Sequence, residues 1–146
     1  MTEDILINGP ITQAVISSRL AMLGSRKNSG GHSVFIGQVR EDIQDGRKVK
    51  AIEYSAYRTM VIKETENIIS MIQSEFNDVK SVDILHSVGI VMAGEISMFV
   101  LISASHRHQA IEACSKTVEL LKEKLPIWKK EIFEDNTHEW EQNPLT

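Results

Sequence analysis

Cysteine is nearly missing. Cys114 is the one cysteine among 146 residues, so no intrachain disulfide can form. That fits a reducing compartment, and a cytoplasmic location is expected. Cys114 sits among helix-patterned apolar residues and reads as a core thiol, not a nucleophile. No apolar run approaches the ~20 residues that a membrane-spanning helix needs. The start, MTEDILINGP, has neither the basic region nor the apolar stretch of a secretory signal. Positive charge is not in excess either. A net charge of −4 lacks the basic excess of a nucleic-acid binder and argues against adhesion to an anionic membrane. There is no GxGxxG, no GxxxxGK(S/T), no internal repeat and no low-complexity stretch.

What remains is an ordinary globular composition, 42% hydrophobic and 25% charged, in a length that suits one domain over 1–146. Residues 4–7 predict a short strand broken by Gly9-Pro10, and Thr12 is placed to cap a helix running to about Leu23. GSRKNSGG at 24–31 predicts a flexible loop. His32 to Arg40 alternates as a strand, with Val34 and Ile36 on one face and Phe35, Gly37 and Val39 on the other. Asp45-Gly46 signals a turn before a second strand, Lys48 to Tyr57; these two strands are expected to pair as a hairpin with a long loop. Val61, Thr65, Ile68, Ile69, Ile72 and Phe76 fall on one face of a helix. Val79 to Val88 predicts a strand ended by Gly89, and Glu95 to Ser105 predicts the most apolar, central strand. Ala110, Cys114, Thr117, Val118, Leu121 and Leu125 trace another helix, stopped by Pro126, and residues 127–133 predict a last strand. The order β-α-β-β-α-β-β-α-β mixes hairpins with helical crossovers and points to the α+β class.

Basic residues concentrate locally, at Arg107, Lys116, Lys122, Lys124, Lys129 and Lys130, ahead of an acidic tail. A basic cluster in an acidic chain suits a small anionic ligand. Ser103-Ala104-Ser105-His106-Arg107-His108 lies where a strand hands over to a helix, a place that favours anions; the alternative is that Ser105 caps the helix and the basic side chains are merely solvated. A zinc site from His106, His108 and His86 has little behind it, because no cysteine supports it and the strand ends before His108. Lys122 lies on the flank of its helix, and Lys129 follows Trp128 just past Pro126. Partial desolvation of such lysines would suit acid/base or nucleophilic work, while lysines at a helix C-terminus also simply suit the dipole. Gly37 inside a strand permits close approach of a ligand beside Arg40, or marks a bulge next to a surface arginine. Glu53-Tyr54 through Tyr57 and Met60 read as packing, with a subunit contact as the alternative.

Five motifs occur in order: Phe35-x-Gly37-x-Val39-Arg40; Glu53-Tyr54-x-Ala56-Tyr57-x-x-Met60; Gly94-Glu95; Ser105-His106-Arg107; and Lys122-x-x-x-Pro126-Ile127-Trp128-Lys129-Lys130-Glu131. Together they resemble the catalytic (large) subunit family of molybdopterin synthase, over roughly residues 30–140. The resemblance implies an α/β hammerhead-type domain with an additional antiparallel β-sheet. It implies a sulfurtransferase that converts cyclic pyranopterin monophosphate to molybdopterin. Sulfur comes from the C-terminal thiocarboxylate of a small ubiquitin-like subunit and forms the dithiolene of the molybdenum cofactor precursor. Two large subunits form a central homodimer inside a heterotetramer, and no cofactor or metal is implied.

On the same resemblance, Lys122 is the principal catalytic lysine and Lys129 the second. Gln38, Val39, Arg40, His106, Arg107, Lys130 and Glu131 are expected to bind substrate. Three places depart from the family pattern. His86-Ser87-Val88-Gly89 stands for His-Arg-x-Gly, Gln38 stands where relatives are often basic or small, and Asn136-Thr137-His138 replaces an Asp-Gly-type turn. Two competing readings stay open: a non-catalytic binding module for a ubiquitin-like tail or anionic metabolite, and a cyclic-phosphate hydrolase using His106 and His108.

Overall fold

A computed structural model describes residues 5–141. In chain order these form β1 (Leu6–Asn8), α1 (Gln13–Ala21), a 3-10 turn (Leu23–Ser25), β2 (Gly31–Gln38), β3 (Ile43–Gln44), β4 (Arg47–Ala56), α2 (Arg58–Glu75), β5 (Val79–Met92), β6 (Ile96–Ala104), α3 (Arg107–Lys124), β7 (Ile127–Phe133) and β8 (His138–Trp140). Asp4, counted into the first strand by its sequence, lies outside the described residues. None of the described helices is long and apolar enough to cross a membrane.

The strands run β2-β6-β5-β4-β7-β8, with β1 parallel beside β5 and β3 beside β4. β6 is buried from Ser97 to Ala104 because both faces of the sheet are covered there. Its side chains alternate. Met98, Val100, Ile102 and Ala104 join Val61, Ile68 and Ile72 of α2 and Ala110, Ala113, Cys114 and Leu121 of α3. Phe99 and Leu101 face the other way, toward Ile11 and Ile16 at α1. Each fully buried Ile or Leu contributes about 1.5–3 kcal/mol from burial. A third cluster, with Val39, Val49, Ile52, Tyr54, Val91 and Phe133, fills the outer half of the sheet.

The helices follow their local signals. Thr12 accepts from Val15 N at 3.3 Å and caps α1, while Leu125 leaves the helical conformation (φ −74, ψ 131) just before Pro126. The α+β class holds. The pairing expectations need three corrections. β2 does not pair with β4; it pairs with β6, Gly31↔Ala104 through Gln38↔Ile96. The Asp45-Gly46 turn, with both φ positive (52 and 75), closes a hairpin with the two-residue strand β3. β5 does not end at Gly89. It pairs with β6 as far as His86↔Met98 and with β4 from Tyr54↔Gly89 onward. β8 has no counterpart in the expected order; its three residues are exposed and carry no apolar alternation.

The loop at 24–31 is polar and glycine-rich but anchored. Arg26 pairs with Asp83 at 3.0 Å and donates to Ser103 Oγ at 2.9 Å, and His32 Nδ1 lies 2.9 Å from the same hydroxyl.

Gly89 carries φ +84 and has room for a Cβ, the nearest atom being Gly9 N at 3.7 Å. Gly89→Ala is therefore expected to cost about 1–2 kcal/mol from backbone strain alone. The check is the urea midpoint at unchanged m-value.

Candidate active site

Where β5 passes from one half of the sheet to the other, the strands diverge against the end of α3. A cavity of about 440 Å³ opens there, within the size range of small-molecule sites. Lys122 reaches it from the last turn of α3. The chain then turns at Leu125-Pro126, where Ile127 N donates to Leu125 O at 2.8 Å, and enters β7 directly. Strand alternation sends Lys129 and Glu131 inward to the cavity. Gln38, Val39 and Arg40 approach from the end of β2. The Val39 backbone is tied on both sides, to Glu95 O at 3.0 Å and by Gly94 N at 2.8 Å.

Charge in the cavity is mixed. Lys129 Nζ lies 3.7 Å from Glu141 Oε1, and Arg40 pairs with Asp42 at 3.1 Å. Lys122 makes no ion pair among the described residues. Glu131 is buried and accepts from Gln44 Nε2 at 3.4 Å; burial and then Glu141 push its carboxyl up. Tyr54 Oη donates to Ser97 Oγ at 3.0 Å, and burial raises the phenol. His86 stands edge-on to Tyr54, ring centroids 5.2 Å apart.

Six of the nine expected residues thus meet around one cavity: Gln38, Val39, Arg40, Lys122, Lys129 and Glu131. Lys130 does not line it. It points to the opposite face of β7, where it pairs with Glu53 at 3.2 Å and sits over Trp140. His106 and Arg107 also lie elsewhere. Arg107 opens α3 and Lys122 lies near its end, 15 residues on, so about 22 Å separates them along the helix. One chain therefore does not unite the His106-Arg107 corner with the two lysines.

That corner is organised by Asp78, and not by the Ser105 cap that is the alternative to an anion site. Asp78 Oδ2 accepts from His106 N at 2.9 Å and lies 3.3 Å from His106 Nδ1. Desolvation pushes the Asp78 carboxyl up, but hydrogen bonds from Ser105 and His106 outweigh it and hold the carboxyl low. His108 faces solvent and pairs with Glu112 at 3.6 Å. Neither histidine reaches the cavity of its own chain, so a two-histidine hydrolase has no site there within one chain. No group of three His, Cys, Asp or Glu suited to a metal occurs among the described residues.

Sequence reasoning did not foresee Tyr54, His86, Ser97, Asp42 or Glu141 at the cavity. A signal existed for two of them: His86 and Ser97 are polar residues set inside apolar strands.

Fold and cavity define an α+β domain with a lysine-lined, small-molecule-sized site at a helix–sheet junction. Residues 9–124 match the sequence model of the family described as MoaE protein. The chain is 40% identical over 139 residues to the molybdopterin synthase catalytic subunit of Drosophila melanogaster, a match covering 94% of the chain and 36% of that protein. It is 38% identical over 121 residues to the same-named protein of Dictyostelium discoideum, covering 82% and 76%. Its structure is similar to molybdopterin synthase from Staphylococcus aureus, with TM-score 0.85, 30% identity and coverage of 97% and 98%. The chain belongs to the MoaE protein family. It spans 36% of the length of the Drosophila relative.

Burial drives the His86 imidazole pKa from 6.5 down to about 4, with the Ser87 carbonyl opposing and Lys129 adding to the fall. The folded state thus binds fewer protons than the unfolded chain between those values. The stability tied to neutral His86 is full above pH 6.5 and is lost as pH falls through that window to about 4. The expected loss is about 3 kcal/mol. Urea denaturation across this pH range checks it, and His86→Leu is expected to flatten that part of the profile.

Proposed function

We propose that the chain acts as the catalytic subunit of a molybdopterin synthase. In this reading residues 1–146 work as one domain that transfers sulfur from the C-terminal thiocarboxylate of a small ubiquitin-like subunit to cyclic pyranopterin monophosphate. The observation that carries the reading is the convergence of Lys122 and Lys129, from two different elements, on one cavity. Both reacting partners are anions at the reacting ends, a cyclic phosphate and a thiocarboxylate. Ammonium groups in a partly desolvated cavity stabilise such charge strongly. Lys122, without an ion-pair partner, is available to hold the thiocarboxylate and to assist proton transfer as sulfur adds to the pterin. Lys129 and Arg40 must exchange Glu141 and Asp42 for the substrate's phosphate, and Gln38, Val39 and Glu131 complete the wall. The protein supplies no sulfur of its own. Cys114 is buried, and that burial raises its thiol pKa while Ser33 opposes.

A central homodimer belongs to this reading. Ile90, Glu53, Lys130 and Trp140 form a row across one sheet face, and Ile90, Trp128 and Trp140 are each about half exposed. Uncovered apolar residues around one ion pair suit a subunit contact, which gives Lys130 a role there. His106 and Arg107 bind substrate only if assembly brings them to the lysine cavity of another copy. A cytoplasmic location accords with the lone, buried cysteine.

The decisive assay mixes the protein with a thiocarboxylated small subunit and cyclic pyranopterin monophosphate and measures dithiolene product. Lys122→Ala is expected to lower turnover by about 100-fold or more while small-subunit binding is retained. Unchanged turnover in that variant removes the role given to Lys122. Tight binding of both partners without product by the unaltered protein supports the binding-module reading instead.

A further inference from the structure

Besides its cations, the cavity lining holds an uncharged set: Tyr54, His86 and Ser97. An anion recognised by charge alone needs none of them. His86 is 6% exposed, and its Nδ1 lies 2.8 Å from the Ser87 carbonyl oxygen. A carbonyl oxygen only accepts, so this contact assigns the proton to Nδ1 and leaves Nε2 of the neutral ring as a bare acceptor. Burial keeps the ring neutral, and the nearby Lys129 ammonium works in the same direction. The ring is also fixed in orientation. Tyr54 stands edge-on to it at 81°, and Tyr54 is itself held by Ser97. Nε2 has no hydrogen-bond partner among the described residues, yet it is not one of the sealed, unpaired buried atoms. An oriented acceptor lining a cavity calls for a donor from whatever fills it.

We propose that His86 reads the heterocycle of the substrate, its Nε2 accepting a hydrogen bond from a ring N–H or amino group while the cations hold the phosphate. This rests on the catalytic reading above and assigns its cavity a second recognition element. A reduced pterin presents several N–H donors, whereas phosphate at neutral pH is chiefly an acceptor. His86 therefore separates a phosphorylated pterin from other small phosphates, which Lys122, Lys129 and Arg40 cannot do by charge.

The test is calorimetric titration of the full chain with cyclic pyranopterin monophosphate, and separately with inorganic phosphate. His86→Leu is expected to weaken the pterin about tenfold and leave phosphate unchanged. His86→Gln, which restores an acceptor, is expected to recover part of the loss. In ¹⁵N-histidine-labelled unaltered protein, the Nε2 resonance of His86 is expected to move upfield with the pterin and not with phosphate. Equal pterin affinity in a folded His86→Leu protein overturns the proposal, as does equal weakening of both ligands. If His86→Leu does not fold, a stationary Nε2 resonance in the unaltered protein with pterin bound overturns it. Failure of the unaltered protein to bind the pterin at all is a different result: it overturns the catalytic reading and this inference with it.

Discussion

The structure depends on one strand serving both halves of its sheet. β5 lends its first half to β6 and its last residues to β4, and the change of partner occurs around Gly89 in a left-handed conformation. A strand that stopped there would leave β4, β7 and β8 without a backbone ladder to the helical half, tied to it chiefly by side-chain contacts such as Tyr54 to Ser97. The fork in the sheet is also what makes a cavity. β2 and α3 bring Arg40 and Lys122 from one side of the fork, and β7 brings Lys129 and Glu131 from the other. His86 lies three residues before the change of partner, at the back of the same opening.

The site that results is balanced rather than simply positive. Two of its three cations already hold carboxylates, Asp42 and Glu141. Such pairs near the surface contribute little to stability, so a ligand phosphate can replace them at small cost. Glu131 differs, because it is buried and its carboxyl is pushed up. A buried acid close to cations that await an anion limits how much negative charge the cavity tolerates before protons are taken up.

Much of this was legible in the sequence where the signal is local. α2, α3 and β6 follow from apolar periodicity, the α1 cap from Thr12, and the end of α3 from Pro126. Strand pairing was less accessible. β2 and β6 meet across a long stretch of chain, from Gln38↔Ile96 to Gly31↔Ala104, and no local signal distinguishes β6 from β4 as the partner. Gly89 read as a terminator because glycine usually interrupts strands, whereas its positive φ here redirects one. The site was legible in part for a related reason. Lys122 and Lys129 are close in sequence and also in space, because a proline turn folds one element onto the next. His106 and Arg107 are further off in sequence but on the same helix as Lys122, and that rigid helix holds them a full helix length away. Lys130 next to Lys129 shows the same limit at smaller scale, since strand alternation puts neighbours on opposite faces.

The loop between α1 and β2 combines a flexible composition with a fixed anchor. Arg26 is largely buried and bridges Asp83 on β5 and Ser103 on β6, while Lys27 and Asn28 beyond it are exposed. Salt screens an ion pair this sheltered much less than an exposed one, and loss of Arg26 would leave Asp83 dependent on the longer contact to Arg19. For protein engineering the two halves of the loop are therefore unequal. The Lys27-Asn28 tip is a splice point for a tag, and the position just before it is not.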